Sequence, residues 1–193
     1  MEQNNNFWND AARYGAILGL LLGLSNLFET WVALSGRLSL YYLMSIEWIA
    51  VVVLHYYLLH RYTRQRSMLY PKEVGFTFGQ GYGFLLTISG FAGFIVGIIQ
   101  TVYLHLVLGY SNYIDRIVTA ITELVANNGE VSASMEPILT QSIERLQTAP
   151  TPSIIAGVWG GIFSTLLFGA IYGLIIAGVN SRAPRPFDSE NIA

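Results

Sequence analysis

Four long apolar stretches constrain this chain more than any other feature. They run over residues 14–35, 41–59, 83–108 and 153–179. An α-helix rises about 1.5 Å per residue, so about 20 residues cross the hydrocarbon core of a bilayer. Each stretch is long enough to cross once as a helix. The sequence therefore predicts an all-α membrane protein with four transmembrane helices, built as a single membrane domain over residues 1–193.

The composition excludes several classes of function. Charged residues make up 11% of the chain, against roughly 25% in a soluble domain. The chain has no cysteine, which excludes disulfides, thiolate catalysis and cysteine-ligated metals. It also lacks the nucleotide-binding, serine-hydrolase and zinc-protease motifs. We therefore expect no catalytic residue, no metal, no cofactor and no nucleic-acid partner, and we expect a protein that is not an enzyme.

The basic residues predict the orientation of the spans. Seven of them flank the spans on one side, and they are Arg13, Arg61, Arg64, Arg66, Lys72, Arg182 and Arg185. Only Arg37, Arg116 and Arg145 fall on the other side. Basic loops stay in the cytoplasm, so we expect a bacterial inner (cytoplasmic) membrane protein with both termini cytoplasmic. Residues 1–9 carry no Lys or Arg, so the first apolar stretch is interpreted as a retained span rather than a cleaved signal.

The loop over residues 109–152, which this orientation places outside, has two runs of apolar residues at helical spacing. Asn127, Asn128 and Gly129 predict the end of the first helix, and Ser134 predicts the N-cap of the second. The expected structure is an amphipathic helical hairpin between the third and fourth spans. Two interpretations remain open: the hairpin packs on the bundle or in the headgroup layer, or it is a docking surface for a partner.

Small residues recur at every fourth position in three of the spans. The glycines in these ridges are Gly15, Gly19 and Gly23 in the first span, Gly93 and Gly97 in the third, and Gly157, Gly161, Gly169 and Gly173 in the fourth. Small residues let helix backbones approach closely, which favours association in lipid. We expect glycine-rich packing within the chain, with a homo-oligomer interface as the alternative. The second span has no glycine and is expected at the periphery of a four-helix bundle.

Several polar residues lie inside the apolar stretches at similar depths. Glu29, Glu47, Gln100 and His105 fall roughly 5–12 Å from the outer boundary, and Thr101 joins this cluster four residues before His105. A charge at the bilayer centre costs about 2.5–3.5 kcal/mol on insertion scales, so such residues usually face the bundle and pair. Two nearby carboxylates would not both ionise. The interpretations are an interhelical hydrogen-bond cluster, or a proton, cation or ligand site. His55 lies deeper, toward the cytoplasmic end of the second span.

A glycine-rich segment precedes the third span at residues 79–83. It lacks the Lys and Ser or Thr of a phosphate-binding loop, and no strand precedes it. The segment is therefore interpreted as a flexible entry into the span.

Short motifs along most of the chain carry a family resemblance. They lie at residues 7–8, 14–19, 75–80, 151–155 and 173–177. With these motifs the chain resembles the small four-span bacterial membrane proteins classed as a domain of unknown function. Tyr110-Ser111-Asn112-Tyr113 stands where such families typically carry Asp-Pro. The resemblance implies a location in the cytoplasmic membrane and supplies no activity.

Two hypotheses for function follow. The first is a non-enzymatic accessory, scaffold or assembly subunit, with the lipid bilayer and either a second copy or another membrane protein as partners. The second is a small transporter or an ion- or proton-coupled protein that uses Glu29, Glu47 and His105.

Overall fold

The computed structural model describes residues 6–126 and 129–184, and for residues 129–136 it describes the backbone alone. Its helices are α1 (Phe7–Ala33), α2 (Leu38–Ser67), α3 (Phe78–Val102), α4 (Tyr110–Ala126), α5 (Gly129–Thr148) and α6 (Ile154–Asn180), and α3 continues into a π-helical turn at Tyr103–Val107. Four of these helices are long and apolar enough to cross a membrane: α1, α2, α6, and α3 together with its π-helical turn. The predicted all-α membrane fold with four spans is confirmed.

The four long helices extend beyond the apolar stretches. Helix α1 begins at Phe7 rather than Tyr14, and α2 continues past Leu59 to Ser67. A helix of 27 residues such as α1 is about 40 Å long, which exceeds the ~30 Å hydrocarbon core. The polar ends of these helices therefore reach the headgroup layers.

Helix α3 is the centre of the bundle and packs between α1 and α6. In the most apolar part of α3, 44% of the residues are buried, whereas in the most apolar part of α2 only 6% are. Helix α2 covers one side, where it contacts α1, α3 and α6. The prediction that the second span is peripheral is confirmed.

Glycines set the distance between α1 and α3. A Cβ atom added at Gly15 would lie 2.5 Å from the Cβ of Phe91, and one added at Gly19 would lie 2.8 Å from the carbonyl oxygen of Ala92. Real Cβ atoms essentially never make contacts under 3.0 Å. The two backbones are therefore as close as glycine alone allows, which maximises dispersion contacts in a solvent that offers no hydrophobic effect between helices.

The same close approach joins α3 to α6. A Cβ at Gly97 would lie 2.6 Å from the carbonyl oxygen of Val158, and one at Gly161 would lie 2.5 Å from the Cα of Gly97. Gly93 faces Ile162 and Thr165 in the same seam. The ridge of α6 therefore meets the ridge of α3, whereas the ridge of α1 meets a different face of α3 that includes Phe91 and Ala92.

A buried ion pair joins the first turn of α1 to the last turn of α2. Arg66 donates to the carboxylate of Asp10 at 3.0 Å, and its side chain is 3% exposed. Its guanidinium also lies 5.5 Å from the ring centres of both Phe7 and Phe84, within the range of a cation–π contact. We call this end of the bundle, formed by the start of α1 and α3 and the end of α2 and α6, the basic end.

The basic end also fixes the connection between α2 and α3. Arg182 donates to the carbonyl oxygens of Ser67 and Tyr70, and its backbone pairs with that of Phe76. Thr77 accepts from the N–H of Gln80, whose side chain accepts from the N–H of Thr77. This capping box starts α3 at Phe78. The interpretation of residues 79–83 as a flexible entry is therefore wrong, because they form the first turns of the helix.

The opposite end, which we call the loop end, carries α4 and α5. Helix α4 buries Ile114 and Ala120, and Ala120 packs on Gly36, whose φ of 62° suits glycine. Helix α4 contacts α5, and the hairpin arrangement stays a prediction. The predicted N-cap at Ser134 is wrong, because α5 begins at Gly129 and Ser134 lies more than one helical turn inside it. The predicted stop at Asn127 and Asn128, like Arg185, lies outside the described residues.

We predict that adjacent glycines of α6 respond oppositely to alanine. G161A forces a Cβ against Gly97, and overpacking of this kind costs about 1–3 kcal/mol. A Cβ at Gly160 meets nothing within 4 Å, so G160A should leave stability unchanged or raise it by up to about 1 kcal/mol through helix propensity. Thermal unfolding in detergent, followed by circular dichroism, measures both. Equal melting temperatures for the two variants would contradict the close α3–α6 contact.

We predict that D10N destabilises the basic end. The substitution leaves Arg66 buried without its counter-ion, which should cost about 2–3 kcal/mol because Asp10 is itself 33% exposed. The matched control is E73Q, the same acid-to-amide change at an exposed position. Denaturant unfolding in mixed micelles checks the difference. A D10N variant as stable as E73Q would show that the ion pair does not hold α1 to α2.

Candidate functional site

A cavity of about 150 Å³ lies between α1, α2, α3 and α6, and it is partly open to the surface, where Trp48, Ser164 and Phe168 are exposed. Seven of its lining side chains are polar: Ser25, Asn26, Glu29, His55, Ser164, Thr165 and Tyr172. Leu22, Trp48, Val51 and Phe168 contribute to its apolar wall. The volume suits a few water molecules, and the walls offer them hydrogen-bond partners. The cavity is therefore a polar space within the membrane-spanning part of the protein.

Two carboxylates lie near this cavity: Glu29 in its wall, and Glu47 bonded to the wall residue Ser25. Ser25 of α1 donates its hydroxyl to Glu47 of α2 at 2.6 Å. Glu29 lies one helical turn after Ser25 on the same face of α1, near enough to Glu47 for the two acids to interact electrostatically. The second carboxylate oxygen of Glu47 is buried and has no hydrogen-bond partner. Buried polar atoms are nearly always satisfied in native proteins, so this oxygen is a candidate for binding a proton or a ligand.

His55 is the deepest titratable side chain of the cavity. It is 6% exposed, and its Nε2 has no hydrogen-bond partner. Its ring meets Tyr172 of α6 edge-on at 5.2 Å. His55 follows Glu47 by about two turns of α2, or ~12 Å along the helix axis. The cavity wall thus has the Glu29 carboxylate toward the loop end and an imidazole nearer the middle of the bundle.

Glu29 also lines a second space, on the outside of the protein. An open groove of about 320 Å³ is formed by Glu29, Met44, Ser45, Trp48 and Ile49. Glu29 and Trp48 belong to the walls of both the groove and the internal cavity. Glu29 and Trp48 therefore lie where the cavity and the groove adjoin.

The remaining polar residues predicted for this cluster lie elsewhere. Thr101 is 4% exposed and packs against Gly157 of α6. His105 lies in the π-helical turn, where its ring nitrogens contact the carbonyl oxygens of Thr101 at 3.1 Å and Pro152 at 2.9 Å. Both contacts are hydrogen bonds only when the ring carries two protons. Gln100 is half-buried near this junction and is absent from the cavity wall.

The structure thus divides the five predicted residues into two groups. Glu29 and Glu47 come together on the α1–α2 side, whereas Thr101 and His105 join α3 to the start of α6. Equal depth in the membrane did not place them together, because α3 turns the Thr101 face toward α6 and away from α1. The residues that complete the cavity, His55 and Tyr172, carried weaker signals. The sequence shows only that His55 lies deep in the second span, and no pattern in the sequence marks Tyr172 as a site residue.

Glycine positions of the predicted ridges surround this site without lining it. Gly169 packs on Ser89, and Gly173 packs on the ring of Tyr82. Gly23 faces the side chain of Ile99. These contacts hold α1, α3 and α6 together behind the cavity. Among the described side chains, those of residues 6–126 and 137–184, His, Asp and Glu nowhere gather in threes at metal-binding distance.

A bundle of four helices that are long and apolar enough to span a membrane, with a polar cavity between them, defines an integral, multi-pass membrane protein. The chain belongs to the family described as protein of unknown function (DUF4199), whose family model matches residues 13–182. The resemblance to a four-span family of unknown function is confirmed. No curated protein and no solved structure matches the chain.

Proposed function

We propose that this protein is a non-enzymatic membrane protein that takes up a proton at Glu29 and Glu47 and passes it along the bundle through His55. One observation carries the proposal: the Glu47 carboxylate, bonded to Ser25 and with one oxygen unsatisfied, lies beside a second carboxylate inside a membrane bundle. Ionised side chains are costly in such an environment, and two adjacent negative charges add repulsion. A proton shared by the pair relieves both.

The volume of the cavity supports a proton or a small ion as the bound species. Pockets for small-molecule ligands typically span roughly 300–1,000 Å³. The internal cavity of about 150 Å³ is smaller than that range and suits a few waters instead. Sugars, nucleotides and amino acids of ordinary size therefore do not fit inside the bundle.

A row of aromatic and polar side chains continues from His55 toward the basic end. The ring of Tyr172 touches both His55 and Tyr56, with ring centres 5.2 and 5.8 Å apart. Tyr56 stacks on His60, and the side chain of Asn180 reaches the Nδ1 of His60 at 3.4 Å. Glu47 and His60 are separated by about 20 Å along α2. Ring contacts do not themselves carry a proton, but they place titratable side chains at intervals over most of the hydrocarbon core, where water molecules would join them into a relay.

The entrance at Glu29 faces the exterior under the orientation that we propose. The basic residues of the described chain gather mainly at the basic end, which we assign to the cytoplasm of a bacterial inner membrane. Both termini are then cytoplasmic. The loop end, with Glu29 and Glu47, lies in the outer leaflet.

We predict that the two carboxylates are required for proton flux. In liposomes with an internal pH-sensitive dye and a potassium-diffusion potential, the E29Q/E47Q variant should lose about tenfold or more of the proton flux, since intramembrane carboxylates are the usual proton carriers. E73Q is the control. Unchanged flux in folded E29Q/E47Q, or no flux with the unmutated protein, would overturn the proposal and favour an accessory or scaffold subunit. Sodium or potassium flux without proton flux would overturn it in favour of a cation site.

A matched pair of histidine variants tests the relay. H55Q removes the imidazole from the cavity, whereas H105Q removes one from the α3–α6 junction. We expect lower proton flux from H55Q and unchanged flux from H105Q, measured in the same liposomes at equal protein content. Circular dichroism and elution in detergent verify that both variants fold. Equal flux from the two folded variants would remove His55 from the path.

A further inference from the structure

We propose that a groove between α1 and α2 at the basic end binds the phosphate of an anionic phospholipid. The groove has a volume of about 420 Å³, and Arg13, Tyr14, Ile17, Arg61, Tyr62 and Gln65 line it. Arg13 and Arg61 are exposed, and they come from different helices. Both side chains line this one groove together with Tyr62, so positive charge from two helices borders the same space.

The positive charge of this groove is not neutralised within the described part of the chain. Asp10, one turn before Arg13, is already paired with the buried Arg66. Neither Arg13 nor Arg61 forms an ion pair with a described residue. Two adjacent guanidiniums attract a single anion, and their planar donors match the oxygens of a phosphate in pairs.

The floor of the groove is fixed in position and adds a donor. The rings of Tyr14 and Tyr62 stack at 4.1 Å, with an angle of 10° between their planes. Tyr14 donates its hydroxyl to the side-chain oxygen of Gln65 at 3.2 Å. This bond orients the Gln65 amide, whose NH₂ group is a further donor for phosphate oxygens. The site therefore has donors from both helices on a packed aromatic base.

The surroundings of the groove favour a lipid over free phosphate. Ile17 lies one turn from Arg13 and is 46% exposed. Further along α1, Leu20 and Leu24 are 54% and 64% exposed. A polar groove that opens onto such an apolar strip matches a phospholipid, which joins a phosphate to acyl chains. The position at the basic end also corresponds to the headgroup layer, where Lys and Arg attract anionic lipids.

A second basic groove provides an internal comparison. Lys72, Gly75 and Arg182 line a space of about 410 Å³ between the α2–α3 connection and the end of α6. There the guanidinium of Arg182 already donates to the carbonyl oxygens of Ser67 and Tyr70. This groove therefore offers one uncommitted cation rather than two, and it should hold a phosphate less well.

The test compares R13Q/R61Q with R64Q/K72Q, which removes the same charge from exposed positions of the same end. Each protein is purified in mild detergent and titrated with phosphatidylglycerol, phosphatidylcholine or inorganic phosphate, and bound lipid is counted by native mass spectrometry. We expect phosphatidylglycerol to bind the unmutated protein and R64Q/K72Q alike, and to bind R13Q/R61Q about tenfold or more weakly, given the contribution of each cation near anionic lipid. Phosphatidylcholine should bind the unmutated protein and the two double variants equally.

Three outcomes would overturn the assignment. Equal weakening in the two double variants would show a diffuse charge effect. Phosphatidylcholine that binds as tightly as phosphatidylglycerol would show that the groove does not recognise the charge of the lipid. Inorganic phosphate that displaces phosphatidylglycerol at millimolar concentration would assign the groove to a soluble anion. If R13Q/R61Q does not fold, R13K/R61K keeps the charge and removes the paired donors, and it should still bind phosphatidylglycerol several-fold more weakly. Full binding by R13K/R61K would contradict phosphate recognition by the two guanidiniums.

Discussion

The close backbone contact of α1 and α6 with α3 is the constraint on which the rest of the structure depends. Gly15 and Gly19 bring α1 onto α3, and Gly97 and Gly161 bring α6 onto its other side. Helix α2 has no glycine and cannot approach its neighbours in this way. It lies across the bundle at a greater distance, and the internal cavity occupies the space between its side chains and the tightly packed core. The same small residues that make one part of the bundle dense therefore leave a polar space beside it.

The two ends of α2 are held by different kinds of contact. At the basic end, the ion pair of Arg66 with Asp10 and the stacked rings of Tyr14 and Tyr62 join it to α1. Toward the loop end, the hydrogen bond from Ser25 to Glu47 is a main polar link between these helices. That link includes a titratable group, because Glu47 accepts the hydroxyl of Ser25. The chemistry that we propose for the cavity is therefore also part of what positions α2.

Much of the fold could be predicted from the sequence because hydropathy reports directly on membrane spans. Helix ends were predicted less well, since they depend on local bonds. Thr77 and Gln80 form a capping box whose spacing is visible in the sequence, yet the glycines that follow suggested a flexible segment. At Ser134 a favourable cap residue pointed to a start, although α5 begins at Gly129.

The candidate site was predicted in part for a geometric reason. Sequence position sets the depth of a residue in the membrane, and by depth Glu29, Glu47 and His105 belong together. The rotation of each helix about its axis depends on its neighbours, and α3 is rotated so that its Thr101 face contacts α6. His105 therefore contacts Pro152, whereas Glu29 faces Glu47 across the α1–α2 seam. His55 enters the site for the same reason, because the face of α2 that it occupies is turned toward Tyr172.

Both proposed sites lie on the seam between α1 and α2, and this common position links them physically. A phosphate held by Arg13 and Arg61 joins the two helices at the basic end, as Ser25 and Glu47 join them near the loop end. Coupling between distant sites requires an element with two arrangements that both sites bias. Helix α2 is the element that meets both, since it is the most exposed of the four and carries Arg61, His55 and Glu47. A lipid that bridges α1 and α2 at the basic end would therefore stabilise the same seam on which Ser25 positions Glu47.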